Sequence, residues 1–425
     1  MRPAISIDFG AAYTKIALRR EPDSTTQLLT HEKLRLDEGH VCIPTIAAWR
    51  EADDRWIFGG DAVDIQPGEG VHVFRNWKPV LFAPPGKILD PQSSIGRLFY
   101  YNLQDGESEN WPPIKKLAVK YFEWLLDVML PVLIDFSNLK DPVLRISIPD
   151  FSEDDSLYSY QMQEILLEAG WESPYVFCEP EPMTNIAGAL SQGKNAVSAN
   201  ASGTVTPDVN QIFSGSGMID YIELASGDDE APGFTMLLAD IGAYTTDFAM
   251  ITIDGGAEGG LPPSEAHSVP FGIEMLDNLV KHGLPVEKTE IIEKLSSTDR
   301  EAFRRTVYSE GRSWSFNNVT IGEPEDRQIV EKCINGMATR ISNEIVNFMD
   351  QFAVSKINEV VITGGGSNIP GITRRIVERL SGRGVETFHA ATPVDAGPAK
   401  SILLNQQVVR GSSAIGGASV LFGDE

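Results

Sequence analysis

One segment of this chain occurs twice. Asp8-Phe-Gly-Ala-Ala-Tyr-Thr-Lys-Ile-Ala-Leu18 lies over Asp240-Ile-Gly-Ala-Tyr-Thr-Thr-Asp-Phe-Ala-Met250 at an offset of 232 residues. Asp8/Asp240, Gly10/Gly242, Ala11/Ala243, Thr14/Thr246 and Ala17/Ala249 recur in register. Each copy reads as an apolar strand, an Asp, a turn of small residues and a second apolar strand. Either copy alone is an ordinary hairpin on an Asp-Gly-type turn. Two copies with matched Asp and Gly constrain the chain much further. Gly and Ala let turn backbone approach an anion, so that N–H groups can cradle phosphate oxygens. An Asp at a strand end can hold Mg²⁺ directly or through the waters this ion retains. Two such hairpins facing each other would grip a polyphosphate from both sides.

A third element follows late in the chain. Val360–Thr363 reads as a strand, then come Gly364-Gly365-Gly366-Ser367-Asn368, and a helix opens near Pro370. A Gly-rich turn opening a helix suits contact with a nucleotide, although a tight connection needs the same residues. The spacing is not the dinucleotide fingerprint, and the chain contains no P-loop.

Between these markers short strand-like runs alternate with amphipathic helices, the α/β pattern. Ile5–Asp8, Ile16–Arg19, Val143–Ile148, Tyr175–Phe177 and Phe234–Ala239 read as strands, and Val41–Trp49 as a further apolar stretch. Helices are expected over Leu117–Leu130, ended or kinked by Pro131, and over Met183–Leu190. Another carries Leu157, Met162, Ile165, Leu166 and Ala169 on one side and stops at Gly170. Pro84–Pro113 reads as an irregular connection. Ser191–Ser216 is dominated by Ser, Gly, Asn, Thr and Ala, and Asp228–Pro232 is a second weak point. These divide the chain into a first lobe over 1–190, a Ser/Gly-rich insertion or linker over 191–232, and a second lobe over 233–425. The insertion reads as a solvated loop or as a partner-binding segment.

Charge narrows the partners. Sixty acidic side chains stand against 35 basic ones, a net charge of −25 over 425 residues. That excess repels nucleic-acid backbones and anionic membranes, so neither is an expected partner. An anionic ligand must be held by local devices: backbone N–H groups, a metal ion or a placed lysine. Cys42, Cys178 and Cys333 lack C-x-x-C spacing, which suits a reducing cytoplasm. The histidines form no ligand pair for structural zinc. Leu125–Ile134, the most apolar stretch, is too short to span a bilayer. Met1-Arg2-Pro3 leads straight into a strand with no visible export signal, so a cytoplasmic location is expected.

With these residues in order, the chain resembles the superfamily of actin, sugar kinases and 70-kDa heat-shock (Hsp70-type) chaperones, and the chaperone branch most. Further segments carry the likeness. Ile43-Pro-Thr-Ile-Ala-Ala-Trp49 with Phe58-Gly-Gly-Asp-Ala62 is similar to the family's early strands and G-D-A turn. Ile146-Ser-Ile-Pro149 with Phe151 is similar to its V-P-x-x-F segment. Glu179-Pro180 followed by Asn185-Ile-Ala-Gly-Ala-Leu190 is similar to its E-P-x-x-A helix start. Phe271-Gly-Ile-Glu-Met-Leu-Asp277-Asn278 resembles G-G-E-x-F-D-N, and Glu301-Ala-Phe-Arg-Arg305-Thr-Val resembles E-x-x-K-R-T-L, the helix that contacts adenosine.

The resemblance implies an actin-like ATPase fold: two similar lobes of ribonuclease H-like topology with a nucleotide cleft between them. It implies ATP or ADP and Mg²⁺ as ligands. Asp8 and Asp240 would organise the metal through its waters, Glu179 would help place the attacking water or the metal shell, and Thr245 would line the γ-phosphate. Lys78, after Phe74-Arg-Asn-Trp77, stands closest to the catalytic lysine, although a surface lysine is the alternative. Gly10, Ala11, Ala12, Tyr13, Lys15, Gly242, Ala243 and Tyr244 would meet the phosphates. Gly272, Glu274, Glu301, Arg304, Arg305 and the turn Gly364, Gly365, Gly366, Ser367 and Asn368 would hold the adenosine.

The departures weigh on the chemistry. Ala11 and Ala12 stand where the chaperones have hydroxyl residues, Ala243 and Tyr244 where they have glycines, and Asn368 where an arginine stacks on adenine. Lys15 stands where actin-like proteins have a phosphate-binding lysine, and its point charge can replace hydroxyl contacts. Phosphoryl transfer depends on placed charge, so lost γ-phosphate contacts slow turnover. The chain ends soon after Ile415-Gly-Gly-Ala-Ser-Val-Leu421, so a substrate-binding β-sandwich and lid are not expected. The expected function is therefore a slow ATP hydrolase that acts as a nucleotide-driven switch read by a protein partner or a co-chaperone-like regulator. A non-hydrolysing ATP-binding scaffold, an actin-like filament and a small-molecule kinase remain the alternatives, and the oligomeric state stays open.

Overall fold

The computed structural model describes residues 2–21, 26–29, 42–82, 113–136, 142–149, 156–171, 175–195, 234–253, 264–352, 356–404, 406–419 and 422. Phe151, the connection expected over 84–113 (all but its last residue) and the Ser/Gly-rich segment beyond residue 195 lie outside them.

The architecture is mixed α/β. Strands β1 (Ala4–Phe9) and β2 (Tyr13–Arg19) form the first hairpin, extended by β3 (Gln27–Leu28) and β4 (Ile43–Pro44). A small antiparallel sheet of β5 (Ile46–Arg50), β6 (Arg55–Phe58) and β7 (Val71–Arg75) follows. Strands β8 (Val143–Ile148) and β9 (Val176–Pro180) then complete the first large sheet, in the order β3-β2-β1-β8-β9. The second large sheet runs β12 (Ser264–Val269), β11 (Thr246–Ile253), β10 (Phe234–Ile241), β15 (Glu359–Thr363), β16 (Thr387–Ala390) and β17 (Lys400–Leu403). Strands β13 (Trp314–Phe316) and β14 (Val319–Ile321) form a separate hairpin.

The two large sheets share one plan. Each has a central strand with an antiparallel hairpin partner on one side and parallel strands on the other. Parallel strands are covered on both faces, which explains why β1 and β8 are buried along their whole length. On one face of β1, Ile5, Ile7 and Phe9 pack into an aromatic core with Trp77, Tyr121 and Phe122. On the other face Ala4, with Ala17 of β2, meets Ala414 and Ala418.

The helices are α1 (Lys78–Leu81), α2 (Ile114–Phe136), α3 (Ser156–Glu168), α4 (Glu181–Asn195), α5 (Ile273–Gly283), α6 (Val286–Lys294), α7 (Ser297–Phe303), α8 (Pro324–Gln351), α9 (Pro370–Leu380) and α10 (Gln406–Gly417). Helix α7 continues into a π-helical turn over Arg304–Ser309. Helix α2 does not end at Pro131 but runs on to Phe136. A proline removes one i→i−4 hydrogen bond, and the buried stripe of Leu117, Tyr121, Leu125 and Met129 anchors the helix before that point. Gly170, at φ 90°, follows the end of α3. Helix α4 extends to Asn195, past the expected lobe boundary at 190. Among the described residues no helix is long and apolar enough to cross a membrane.

Two helices change sides. Helix α4 follows the last strand of the first sheet, yet its Ile186 and Ala189 pack with Met236, Leu238, Ala249 and Ile251 of the second. Helix α10 follows the last strand of the second sheet, and its Ala414 covers the first. They touch backbone to backbone where they cross. A Cβ on Gly188 would stand 1.8 Å from the Ser412 carbonyl oxygen, and one on Gly416 would stand 1.7 Å from that of Thr184. Two buried guanidiniums hold the carbonyl end of α10: Arg19 Nε donates to the Ala418 oxygen at 2.6 Å and Arg145 to the Gly417 oxygen at 3.2 Å. Cations at a helix C-terminus are favoured by the helix dipole.

Candidate functional site

Side chains from both halves line one cavity of about 620 Å³. In the first hairpin Asp8 ends β1 directly opposite Lys15 of β2. Lys15 Nζ donates to Asp8 Oδ2 at 2.7 Å, while Asp8 Oδ1 is buried and has no partner among the described residues. Burial lowers the Lys15 pKa, but Asp8, Cys42 and Asp240 more than offset this and hold it above its ordinary value. The turn is tied down from outside. The Thr45 N–H donates to the Ala12 oxygen at 2.9 Å, and its hydroxyl to the Gly10 oxygen at 2.8 Å. Gly10, Ala11, Ala12, Tyr13 and Lys15 all line the cavity.

The second hairpin carries the opposite charge at the matching position. Asp240 faces Asp247 across the strands, where the first hairpin has Asp8 facing Lys15. Burial, then Glu181 and Asp8, push the Asp240 carboxyl up to about 7 against the pull of Lys15. Burial also raises Asp247 well above the carboxylate range, with Glu181 and Asp240 adding to it. Asp247 accepts from the Thr245 hydroxyl at 3.0 Å and from the Ser268 hydroxyl, so it orients Thr245. Asp240, Gly242, Ala243, Tyr244 and Thr245 line the cavity.

Lys78 and Glu181 line the cavity beside the first hairpin. Lys78 opens α1 and is 2% exposed, and its Nζ donates to Glu181 Oε2 at 2.7 Å. Burial raises Glu181 despite that pairing. Lys78 is thus a buried cavity residue, not a surface lysine. Glu179 does not line the cavity. It sits on β9 with an oxygen 3.7 Å from Arg145 Nε, and the carboxylate at the cavity is Glu181. The dipeptide Glu-Pro occurs twice here, and the second copy opens the helix.

The opposite wall comes from α7 and its π-helical turn. Glu301, Arg304 and Arg305 line the cavity. Asp277 fixes Arg304 at 2.7 Å and also accepts from the Tyr308 hydroxyl at 3.0 Å. Burial alone would raise Asp277, but Arg304 and Arg300 bring it below its usual range. Tyr13 reaches across and hydrogen-bonds Glu301. Of the Gly-rich turn, Gly364, Gly365 and Asn368 line the cavity while Gly366 and Ser367 do not. Gly366 packs on Ile241 and Ile273, and the Ser367 hydroxyl donates to the Gly364 oxygen at 2.7 Å. Gly364 has φ 78°, and a Cβ there would stand 2.0 Å from Asp240 Oδ1. Gly272 and Glu274 also stand outside the lining. Gly272 lets α5 approach the second hairpin, where the Ile273 and Glu274 N–H groups donate to the Gly242 and Ala243 oxygens at 3.0 and 2.9 Å. The Glu274 side chain accepts from Asn76.

Cys42, Ser412 and Ser413 line the cavity with no signal in the sequence; Asn185, Asp247 and Asp277 lie within the repeat or the family-like segments, and the structure gives them their place at the site. Burial pushes the Cys42 thiol up to about 11, which keeps it protonated and a poor nucleophile.

The charge set fits a hydrated divalent cation. In the lining Asp8, Asp240 and Glu181 stand with Lys15 and Lys78, and Asp8 Oδ1 offers an unpartnered acceptor. Among the described residues no three His, Cys, Asp or Glu side chains converge for direct ligation. Mg²⁺, which keeps several waters, suits acceptors set apart in this way. No protein-family model and no curated protein matches the chain.

Proposed function

We propose that this chain is an ATP-binding protein of the 70-kDa heat-shock type, a slow Mg²⁺-dependent ATPase whose lobes serve as a nucleotide-driven switch. One observation carries the reading. Two hairpins 232 residues apart, the buried Lys78–Glu181 pair and the Gly364–Gly365 turn line a single cavity of about 620 Å³. That volume is in the ordinary range for a small-molecule site. The shared plan of the two large sheets supports an actin-like ATPase fold with two ribonuclease H-like lobes.

The residues divide the work by chemistry. Asp8 and Asp240 would hold Mg²⁺ through its waters, and the bound ion neutralises charge on the terminal phosphates. Lys15 and Lys78 supply fixed positive charge, which is the main requirement of phosphoryl transfer. Glu181, held by Lys78, orients the attacking water. Thr245, oriented by Asp247, faces the terminal phosphate. Glu301, Arg304 and Arg305 hold the nucleoside, with Asp277 fixing Arg304. Closure of the lobes on the nucleotide would be read by a protein partner.

A second reading, a scaffold that binds ATP without turnover, is favoured by one observation: Ala11 and Ala12 give the first turn no hydroxyl donor. Titration calorimetry with Mg–ATP and Mg–ADP, then single-turnover hydrolysis of limiting ATP, tests both. Saturable binding with slow release of phosphate supports the switch. Binding without phosphate release selects the scaffold. No binding of either nucleotide at millimolar concentration overturns the reading.

A further inference from the structure

The floor of the cavity is built by the crossing helices. Asn185 of α4 is fully buried and lines the cavity together with Ser412 and Ser413 of α10. The Ser412 hydroxyl donates to Asn185 Oδ1 at 2.8 Å, which turns the amide nitrogen the other way. That nitrogen faces the Asp240 carboxyl, the one group it can meet among the described residues, and has no second partner there. Flipping the amide would set its oxygen against Asp240, two acceptors facing each other. The donor orientation is therefore fixed from both ends. An amide NH₂ carries two hydrogens, so one can turn to Asp240 and one is left for the cavity. A buried donor without a partner is costly, and folded proteins rarely keep one without a use.

We propose that Asn185 is a ligand-binding residue whose Nδ2 donates to an oxygen of the ligand's terminal phosphoryl group, with Ser412 as the positioning residue that holds the amide in register. The inference rests on the nucleotide reading above and adds to it a contact outside the two hairpins. The remaining hydroxyls beneath it satisfy one another. Ser147, Thr184 and Ser413 stand 2.7 to 3.1 Å apart, Thr184 on α4 and Ser413 on α10. A ligand held by Asn185 therefore grips the pair of helices that each half lends to the other, and not the hairpins alone.

The test compares Mg–ATP with AMP, which lacks the terminal phosphoryl group. Asn185→Ala should weaken Mg–ATP about tenfold, the worth of one hydrogen bond to a charged group, and leave AMP unchanged. Asn185→Asp keeps the shape and the Ser412 bond but replaces the donor by an anion, and should weaken Mg–ATP further. Ser412→Ala, which removes a single oxygen, should weaken Mg–ATP a few-fold and spare AMP. Equal losses for both ligands, or no loss in the three variants, overturn the inference while the nucleotide reading stands. A parent protein that binds neither ligand overturns both.

Discussion

Replacing Asp240 by Asn should make the ligand-free protein more stable at pH 8, although Asp240 is central to the site. Its carboxyl titrates near 7 in the folded chain against 3.8 for an exposed Asp. The folded state thus holds a proton that the unfolded state gives up between these values. Stability from this group is fully present below about pH 3.8 and is lost as the pH rises through 7. Three pKa units at about 1.4 kcal/mol each make the penalty about 4 kcal/mol at pH 8. Asn cannot ionise and escapes it. Urea unfolding of parent and variant in EDTA, at pH 5 and pH 8, measures the effect. The stability gap in favour of the variant should widen by about 2 to 3 kcal/mol between the two pH values. The same proton competes with a cation, so Mg–ATP binding to the parent should tighten as the pH rises toward 7, and the variant should lose that dependence. A gap that is independent of pH, or that favours the parent more strongly at pH 8, would refute the electrostatic account of the cavity.

Three further outcomes follow from close contacts. Gly364→Ala forces a Cβ against Asp240 Oδ1 at φ 78° and should abolish Mg–ATP binding, whereas Gly382→Ala, outside the lining and with open space at its Cβ, should leave affinity within a few-fold; calorimetry on both separates contact from chance. Lys78→Ala leaves Glu181 buried without its partner and should cost about 3–5 kcal/mol in denaturant unfolding, most of it recovered by adding Glu181→Gln. Gly188→Ala drives the crossing helices apart and should lower the thermal midpoint by several degrees, while Gly336→Ala, on α8 with nothing near its Cβ, should hold or raise it.

The parts of the site legible in the sequence are those written in one contiguous run. Each hairpin holds its Asp, its turn and its return strand within one short run, and the repeat itself pairs the two. The Gly-rich turn and the start of α9 were legible for the same reason. Glu181 was not, because Glu179-Pro180-Glu181-Pro182 offers the same dipeptide twice and only the helix start decides between them. Cys42 acquires its place through packing between distant segments, and no local pattern marks it, whereas Asp277 and Asn185 sit in local patterns that do not say which side chain meets the cavity. Pro131, expected to end or kink α2, does not end it, because the buried stripe before it anchors the helix.

The exchange of α4 and α10 has a consequence for synthesis. The alanine face of β1 is covered by residues near 414, about 400 positions later in the chain. At roughly 5–20 residues per second, that face waits on the order of 20–80 s for its cover. The first half therefore leaves the ribosome with a bare sheet face and with α4 lacking the strands it packs on. Two halves made as separate polypeptides would each carry the helix the other needs, and would complete their sheets by trading them.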